Sequence, residues 1–205
     1  DGASRLHGAV YRVMPDRMEA GTFALAAAIT GGTVSMDGRV SRWMGALTDK
    51  LRYAGATVEI EQELYKVTGP KQLASADIQT YPYPGFPTDM QAQVMALCTV
   101  AGGTSTITDS IYLDRFSHVP ELMRLGADVH MQNNVAIVKG VDRLSGAPVM
   151  ATDIRASAGL VLAALVADGE TKISRIYHLD RGYEQIERKL VAVGADVLRV
   201  SQRGV

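Results

Sequence analysis

Three stretches of the chain are apolar on nearly every side: residues 20–29, 94–100 and 160–166. Their polar interruptions are few, and in the first no polar stripe is wider than Thr22. A helix on the surface of a globular domain carries charges every turn, so a run without them is expected to be enclosed by other elements. Each run is preceded by Pro-Asp or Thr-Asp, at Asp16, Asp89 and Asp153, and each closes on glycine, at Gly31, Gly102 and Gly169. Aspartate suits a helix start, because its carboxylate accepts the orphan N–H groups and complements the positive dipole end.

A second kind of segment alternates with these runs. Residues 42–56, 115–127 and 181–195 each open on arginine and close on Gly-Ala. In the first, Trp43, Leu47 and Leu51 fall on one helical line while Asp49, Lys50 and Arg52 lie off it. In the third, Ile186, Leu190 and Val193 form the stripe, with Glu184, Glu187, Arg188 and Lys189 elsewhere. One dry and one wet face predict amphipathic helices that cover the apolar ones. Between the two kinds lie short β-leaning stretches opened by glycine (GTVSM, GTSTI, GETKI). After each Gly-Ala come residues that alternate or favour strand (TVEIEQELYKV, DVHMQNNVAIV, DVLRV). Residues 8–13 (GAVYRV) read as a further short strand.

The unit is therefore β-α-β-α-β-β, copied three times over residues 8–72, 73–140 and 141–205, with the last copy cut short. The predicted fold is α/β: one domain, residues 1–205, with sheets outside and three buried central helices. Pro82, Pro84 and Pro87 make a stiff, non-helical approach to the second buried helix.

Composition narrows the function. The 205 residues carry 21 Lys plus Arg against 22 Asp plus Glu, so no gross charge favours nucleic acid or an anionic membrane. The apolar fraction is 47%, enough to exclude a disordered chain despite 20 glycines. Cys98 is the single cysteine, which excludes an intrachain disulfide and a four-cysteine zinc site. It lies within an apolar run, where a free cysteine behaves as a small hydrophobe. His7, His118, His130 and His178 lack paired ligand spacing, so no metal is expected. Neither a P-loop nor a Rossmann glycine turn occurs; anion binding is expected from helix N-termini that converge on one cleft. The longest apolar run is shorter than the roughly 20 residues of a membrane span, and the opening residues do not read as a signal peptide. The expectation is a soluble cytoplasmic chain. It begins at Asp1 without Met and reads as a piece of a longer protein.

Four motifs carry a family resemblance: PDRMEAGTF (15–23), PTDMQAQ (87–93), MATDIRASAGLVLA (150–163) and IYHLDRGYEQIERKL (176–190). Together, and in this order, they resemble the UDP-N-acetylglucosamine 1-carboxyvinyltransferases, over essentially the whole chain. The resemblance implies an inside-out α/β barrel of two similar domains, of which this chain corresponds to the C-terminal one. It also implies transfer of the enolpyruvyl group of phosphoenolpyruvate to the 3-hydroxyl of UDP-N-acetylglucosamine, the first committed step of peptidoglycan synthesis, without a cofactor. The family's other domain carries a loop cysteine that protonates the enol carbon, together with basic phosphate-holding residues, and nothing here matches that loop. A chain supplying half a site is expected to be inactive alone.

By the same resemblance, Asp89 contacts the sugar and takes the proton of its hydroxyl, and Arg181 reaches the phosphoenolpyruvate when the domains close. Asp153 and Arg155 lie near the reacting centre, Arg115 faces the cleft, and the main chain at Ile111 meets the nucleotide-sugar. Read from the residues alone, helix capping is the favoured role for Asp89 and a wet-face position for Arg181, while Asp153 with Arg155 is equally a local ion pair and Ile111 equally strand packing. Two other functions fit the pattern. One is an enolpyruvylshikimate-phosphate synthase-like transferase. The other is a non-catalytic half-barrel that binds a nucleotide-sugar or a protein.

Overall fold

The computed structural model describes residue 2 and residues 5–200. The chain enters helix α1 (Arg17–Thr30) through Asp16, whose Oδ1 accepts the N–H groups of Met18 at 2.7 Å and Glu19 at 3.2 Å. Gly31 ends the helix with φ of 68°, a left-handed turn that glycine adopts without steric cost. Every residue from Ala20 to Ile29 is buried, as the absence of a polar stripe requires.

Strand β1 (Thr33–Asp37), a 3-10 turn (Gly38–Trp43), helix α2 (Gly45–Tyr53) and the hairpin of β2 (Thr57–Ile60) and β3 (Leu64–Thr68) follow. These strands form an antiparallel sheet in the order β1-β3-β2. The order recurs after β4 (Ile78–Gln79), which adds a fourth strand to the second sheet. A 3-10 turn (Thr88–Met90) leads into α3 (Gln91–Cys98), and then come β5 (Thr104–Thr108), α4 (Val119–Arg124), β6 (Asp128–Gln132) and β7 (Val135–Lys139). The second sheet runs β4-β5-β7-β6.

The third copy has β8 (Leu144–Ser145), β9 (Pro148–Met150), helix α5 (Ile154–Ala164), β10 (Ala167–Asp168), β11 (Lys172–Ser174), α6 (Tyr177–Asp180) and α7 (Ile186–Ala192). Its strands pair in parallel as β10 with β8 and β11 with β9.

Helices α1, α3 and α5 touch one another in the middle, with the sheets outside. The approach of α3 to α5 is close enough to need glycine: a Cβ on Gly159 would stand 2.7 Å from the Ala92 carbonyl oxygen. One polar knot ties the three copies together in this core. The Tyr183 hydroxyl lies 2.9 Å from the Thr22 hydroxyl and accepts the Gln93 side-chain N–H at 3.3 Å. The hydroxyls and the Gln93 amide N–H pair with one another, which offsets part of the cost of burying them, while Gln93 Oε1 is left without a partner among the described residues.

Three expectations from the pattern are corrected. Residues 8–13 form no strand and are exposed, as are residues 196–200 apart from half-buried Val197. Val10, Tyr11 and Val13 have strand-favouring side chains, but propensity makes a strand only where a neighbouring strand takes the backbone hydrogen bonds. The strand expected at residues 196–200 (DVLRV) is accordingly absent, and residues 201–205 of the third copy lie outside the described residues. The arginine-led segments are also not continuous helices. Arg42 belongs to a 3-10 turn, Arg115 precedes α4 in a loop, and Arg181 closes the short α6 rather than opening α7.

Candidate active site

The three aspartates that precede the buried helices do not do the same work. Asp16 and Asp153 cap α1 and α5; Asp153 Oδ1 accepts the N–H groups of Arg155 at 2.7 Å and Ala156 at 2.9 Å. Asp89 sits inside the 3-10 turn before α3, whose first N–H groups receive no side-chain cap. Its carboxylate is turned instead toward two guanidiniums. Arg115 Nη1 donates to Asp89 Oδ1 at 2.7 Å, and Arg155 Nε stands 3.5 Å from the same oxygen. Asp89 Oδ2 makes no hydrogen bond among the described residues, and the side chain is about two-fifths exposed (39%). The second carboxylate oxygen is thus open to a ligand hydroxyl.

Each partner is itself held. Arg115 Nη1 also donates to the Thr88 hydroxyl at 3.2 Å, and its guanidinium lies over the Tyr112 ring, 5.6 Å from the centroid. The Arg155 charge acts on the Tyr183 hydroxyl, the centre of the buried knot, and works against the rise in its pKa. Burial raises the Tyr183 phenol above its usual range, against the opposing effect of its hydrogen bonds, so it stays neutral. Asp153 Oδ2 accepts the Ser117 hydroxyl at 3.2 Å. Burial pushes the Asp153 carboxyl up, but the two helix N–H groups, Ser117 and the Arg115 charge prevail and hold it below the usual carboxylate range. Next to Ser117, His118 is buried with an unpartnered Nε2. Burial lowers its pKa to about 4, Asp153 opposing and Arg115 adding to the shift.

Asp89, Arg115, Asp153 and Arg155 are therefore gathered in one cluster, drawn from the starts of α3 and α5 and the loop before α4. Arg181 is exposed and has no ion-pair partner among the described residues. It stands at the rim: its neighbour Gly182 is packed so tightly on Ile154 that a Cβ there would come within 2.5 Å of Ile154 Cγ2 and 3.9 Å of Arg155 Nη1. Ile111 lies in the turn after β5, about half exposed, with its N–H given to Asp109 Oδ1 at 3.0 Å. Only its carbonyl is left to meet a ligand. Cys98 is 1% exposed, and burial pushes its thiol up to about 11, partly countered by Ser105 and the Ala76 main chain. A thiol so placed donates no proton to a cleft.

On the other side of the turn around Asp89 lies a shallow cleft of about 100 Å³ lined by Arg17, Arg42, Trp43, Tyr83, Pro87 and Met90 among others. No group of three or more metal-ligating side chains occurs among the described residues, and no helix there is long and apolar enough to cross a membrane.

The buried supports are what sequence reasoning missed. Gln93, Tyr183 and Thr22 lie within the quoted motifs, but only Thr22 carried a signal, as a polar residue inside an otherwise apolar run. Asp109 and Thr88, which hold the Arg115 side of the cluster, gave no signal of that kind.

Comparison with known proteins supplies the family. The family described as EPSP synthase (3-phosphoshikimate 1-carboxyvinyltransferase) matches residues 1–190. The UDP-N-acetylglucosamine 1-carboxyvinyltransferase of Trichlorobacter lovleyi is 58% identical over 98% of this chain, and that of Gluconobacter oxydans 56% over 98%. Both alignments cover 48% of the relative, so the chain spans about half the length of the curated relatives it matches. Among solved structures, the enolpyruvyl transferase NikO from Streptomyces tendae superposes with a TM-score of 0.82 at 27% identity, over 90% of this chain and 44% of that one. The EPSP synthase from Acinetobacter baumannii gives 0.68 at 18% identity, over 93% and 45%, a likeness of fold alone. Half of an enolpyruvyl transferase fold is what these matches share, and the chain belongs to the EPSP synthase family of carboxyvinyltransferases.

Proposed function

We propose that this chain supplies one half of the active site of an enzyme that transfers the enolpyruvyl group of phosphoenolpyruvate to the 3-hydroxyl of UDP-N-acetylglucosamine. The observation that carries this reading is the cluster of Asp89 with Arg115 and Arg155, set in a chain 58% identical to relatives of that name. The proposed setting is the cytoplasm, at the committed step of peptidoglycan synthesis.

In the first step the sugar oxygen forms a bond to C2 of phosphoenolpyruvate. Its proton passes to Asp89 Oδ2, and C3 gains a proton from an acid. In the second step C3 gives up a proton, the C2–O bond to phosphate breaks, and inorganic phosphate leaves. The products are the enolpyruvyl ether and phosphate, with no change of oxidation state. Asp89 suits the base because one oxygen is pinned by Arg115 while the other is open, so the carboxylate is oriented before substrate arrives. Arg155 at the cluster and Arg181 at its rim offer planar, fixed positive charge for the carboxylate and phosphate of the second substrate. The Ile111 carbonyl is the main-chain group placed to accept from the nucleotide-sugar.

The carbon acid is not among these residues. Cys98 is enclosed, and its thiol sits near 11. We therefore assign the acid to a second domain of the kind the relatives' extra length accommodates, and expect this chain alone to be inactive.

The test is phosphate release from phosphoenolpyruvate in the presence of UDP-N-acetylglucosamine. The chain alone is expected to give none. Turnover is expected once the polypeptide carrying the other domain is added, and loss of it in Asp89→Ala. Substantial turnover by the chain alone, or displacement of bound UDP-N-acetylglucosamine by shikimate 3-phosphate, overturns this reading in favour of a complete site or a shikimate enzyme.

A further inference from the structure

Asp109 is a fully buried carboxylate at the end of β5, on the far side of Thr88 from the cluster. Its Oδ1 accepts the Thr80 hydroxyl at 2.8 Å, the Ile111 N–H at 3.0 Å and the Tyr112 N–H at 2.8 Å. Its Oδ2 accepts the Thr88 hydroxyl at 2.6 Å. Asn134 Nδ2 closes the group by donating to the Asp109 carbonyl at 3.0 Å. A buried charge is expensive unless its lone pairs are filled, and here both oxygens are engaged. Burial pushes the carboxyl up, but the bonds from Thr88, Tyr112, Thr80 and Ile111 outweigh it, so the group stays charged.

The direction of the bonds carries the consequence. A hydroxyl has one proton. Because Thr88 gives its proton to Asp109, its oxygen must face Arg115 as an acceptor, which fixes the Nη1 that also grips Asp89. Two residues further on, the same carboxylate fixes the turn that presents the Ile111 carbonyl.

We infer that Asp109 is a positioning residue for this site: through the Thr88 hydroxyl it aims Arg115 at Asp89, and through the 109–112 turn it presents the Ile111 carbonyl outward. The catalytic consequence rests on the reading of Asp89 as the base, whereas the aiming of Arg115 does not.

Asp109→Asn separates these parts. Its amide oxygen keeps the three Oδ1 contacts and therefore the turn, while its NH2 meets Thr88 as a donor and reverses the polarity of the relay. Thr88→Val removes the relay while keeping the Asp109 carboxylate and its three Oδ1 contacts, at the cost of the one hydrogen bond to Oδ2, and serves if the first variant folds poorly. Asp77→Ala is the control: Asp77 also anchors a backbone N–H, that of Thr106 at 2.7 Å, but far from the cluster.

Two readouts are taken on the protein supplemented with its other domain. The first is hindered rotation of the Arg115 guanidinium, seen as separate Nη resonances by NMR. The second is the split between kcat and KM for UDP-N-acetylglucosamine. In Asp109→Asn and in Thr88→Val the separate resonances are expected to collapse. Their kcat should fall about tenfold with KM little changed, the scale typical of losing an orienting partner. The double variant should be no worse than either single one. Asp77→Ala should change the melting temperature alone. Separate Arg115 resonances persisting in both variants, or a loss of activity that simply adds in the double variant, overturns the inference. Collapse of the resonances in an enzyme whose turnover ignores Asp89 leaves the aiming of Arg115 standing and overturns the base assignment instead.

Discussion

Asp16 and Asp89 occupy corresponding places, each just before a buried helix and each following Pro or Thr, yet they end in different chemical states of use. At the start of α1 the chain is extended, and the Asp16 carboxylate folds back onto the N–H groups of Met18 and Glu19. Before α3 the chain tightens into a 3-10 turn behind Pro87, which carries Asp89 away from the helix axis and toward Arg115 and Arg155. The cap is absent where the ion pairs are present. A carboxylate that caps its own helix has spent its lone pairs locally, and one denied that role is free to be aimed across the molecule. The guanidiniums decide which outcome holds, because they come from the loop before α4 and the start of α5.

Replacing Asp89 with Asn should therefore hurt function far more than folding. Phosphate release by the reconstituted enzyme is expected to fall roughly 10²- to 10⁴-fold, the range for removing a general base. The denaturation midpoint should hold steady. A large fall in stability instead would place Asp89 with Asp16 as a structural residue and erase the contrast.

The Asp89 side of the molecule also has His118 buried behind it. His118 titrates near 4 when folded and near 6.5 when free, so the unfolded chain binds the proton first as pH falls. Stability should be complete above pH 6.5 and be lost between there and pH 4, by an amount on the order of 3 kcal/mol. In His118→Gln, equilibrium unfolding followed across this window should show that slope removed. Asp109 and Asp153, held below the usual carboxylate value of 3.8, contribute stability that is lost only further down, as pH falls through their folded values. The two acid transitions should therefore separate.

Gly159→Ala tests the floor on which α5, and with it Arg155, is placed. The added Cβ meets the Ala92 carbonyl oxygen at 2.7 Å, and overpacking of this kind costs about 1–3 kcal/mol. Urea denaturation should read that loss, and because α5 must shift, activity should fall with it. An unchanged midpoint would mean that α3 and α5 are not in close contact.

The smallest effect belongs to Asp16→Ala. Loss of a helix cap costs about 1 kcal/mol, visible as a lowered midpoint, with kcat and KM for both substrates unaltered. A fall in kcat here would mean that α1 carries a functional acid too.

Much of this fold was legible because burial leaves a mark on composition. The alanine-rich runs before Gly31, Gly102 and Gly169 could be placed inside, and the stripes through Leu47, Leu51, Ile186 and Leu190 outside them, since a helix must match its surroundings residue by residue. The short strands expected at 8–13 and 196–200 were misread for the opposite reason. A strand's stability lies in its neighbour, and alternation in one segment does not say whether a neighbour is there. Within the site, the motifs singled out Asp89, Arg155 and Arg181; Thr88 lies in one of them without a role to mark it, and Asp109 has no periodicity or spacing to mark it at all. They matter only because the 80–88 loop and the turn after β5 fold against each other.

The sequence by itself determined the alternation of apolar and amphipathic segments, the enclosure of three helices and the positions of the aspartates that precede them. These follow from local backbone chemistry and from the cost of exposing apolar side chains to water. Only the tertiary structure decided that Asp16 and Asp153 cap their helices while Asp89 meets two arginines. Hydrogen bonds between residues far apart in the chain depend on where packing brings their carriers, and spacing along the chain does not encode that distance.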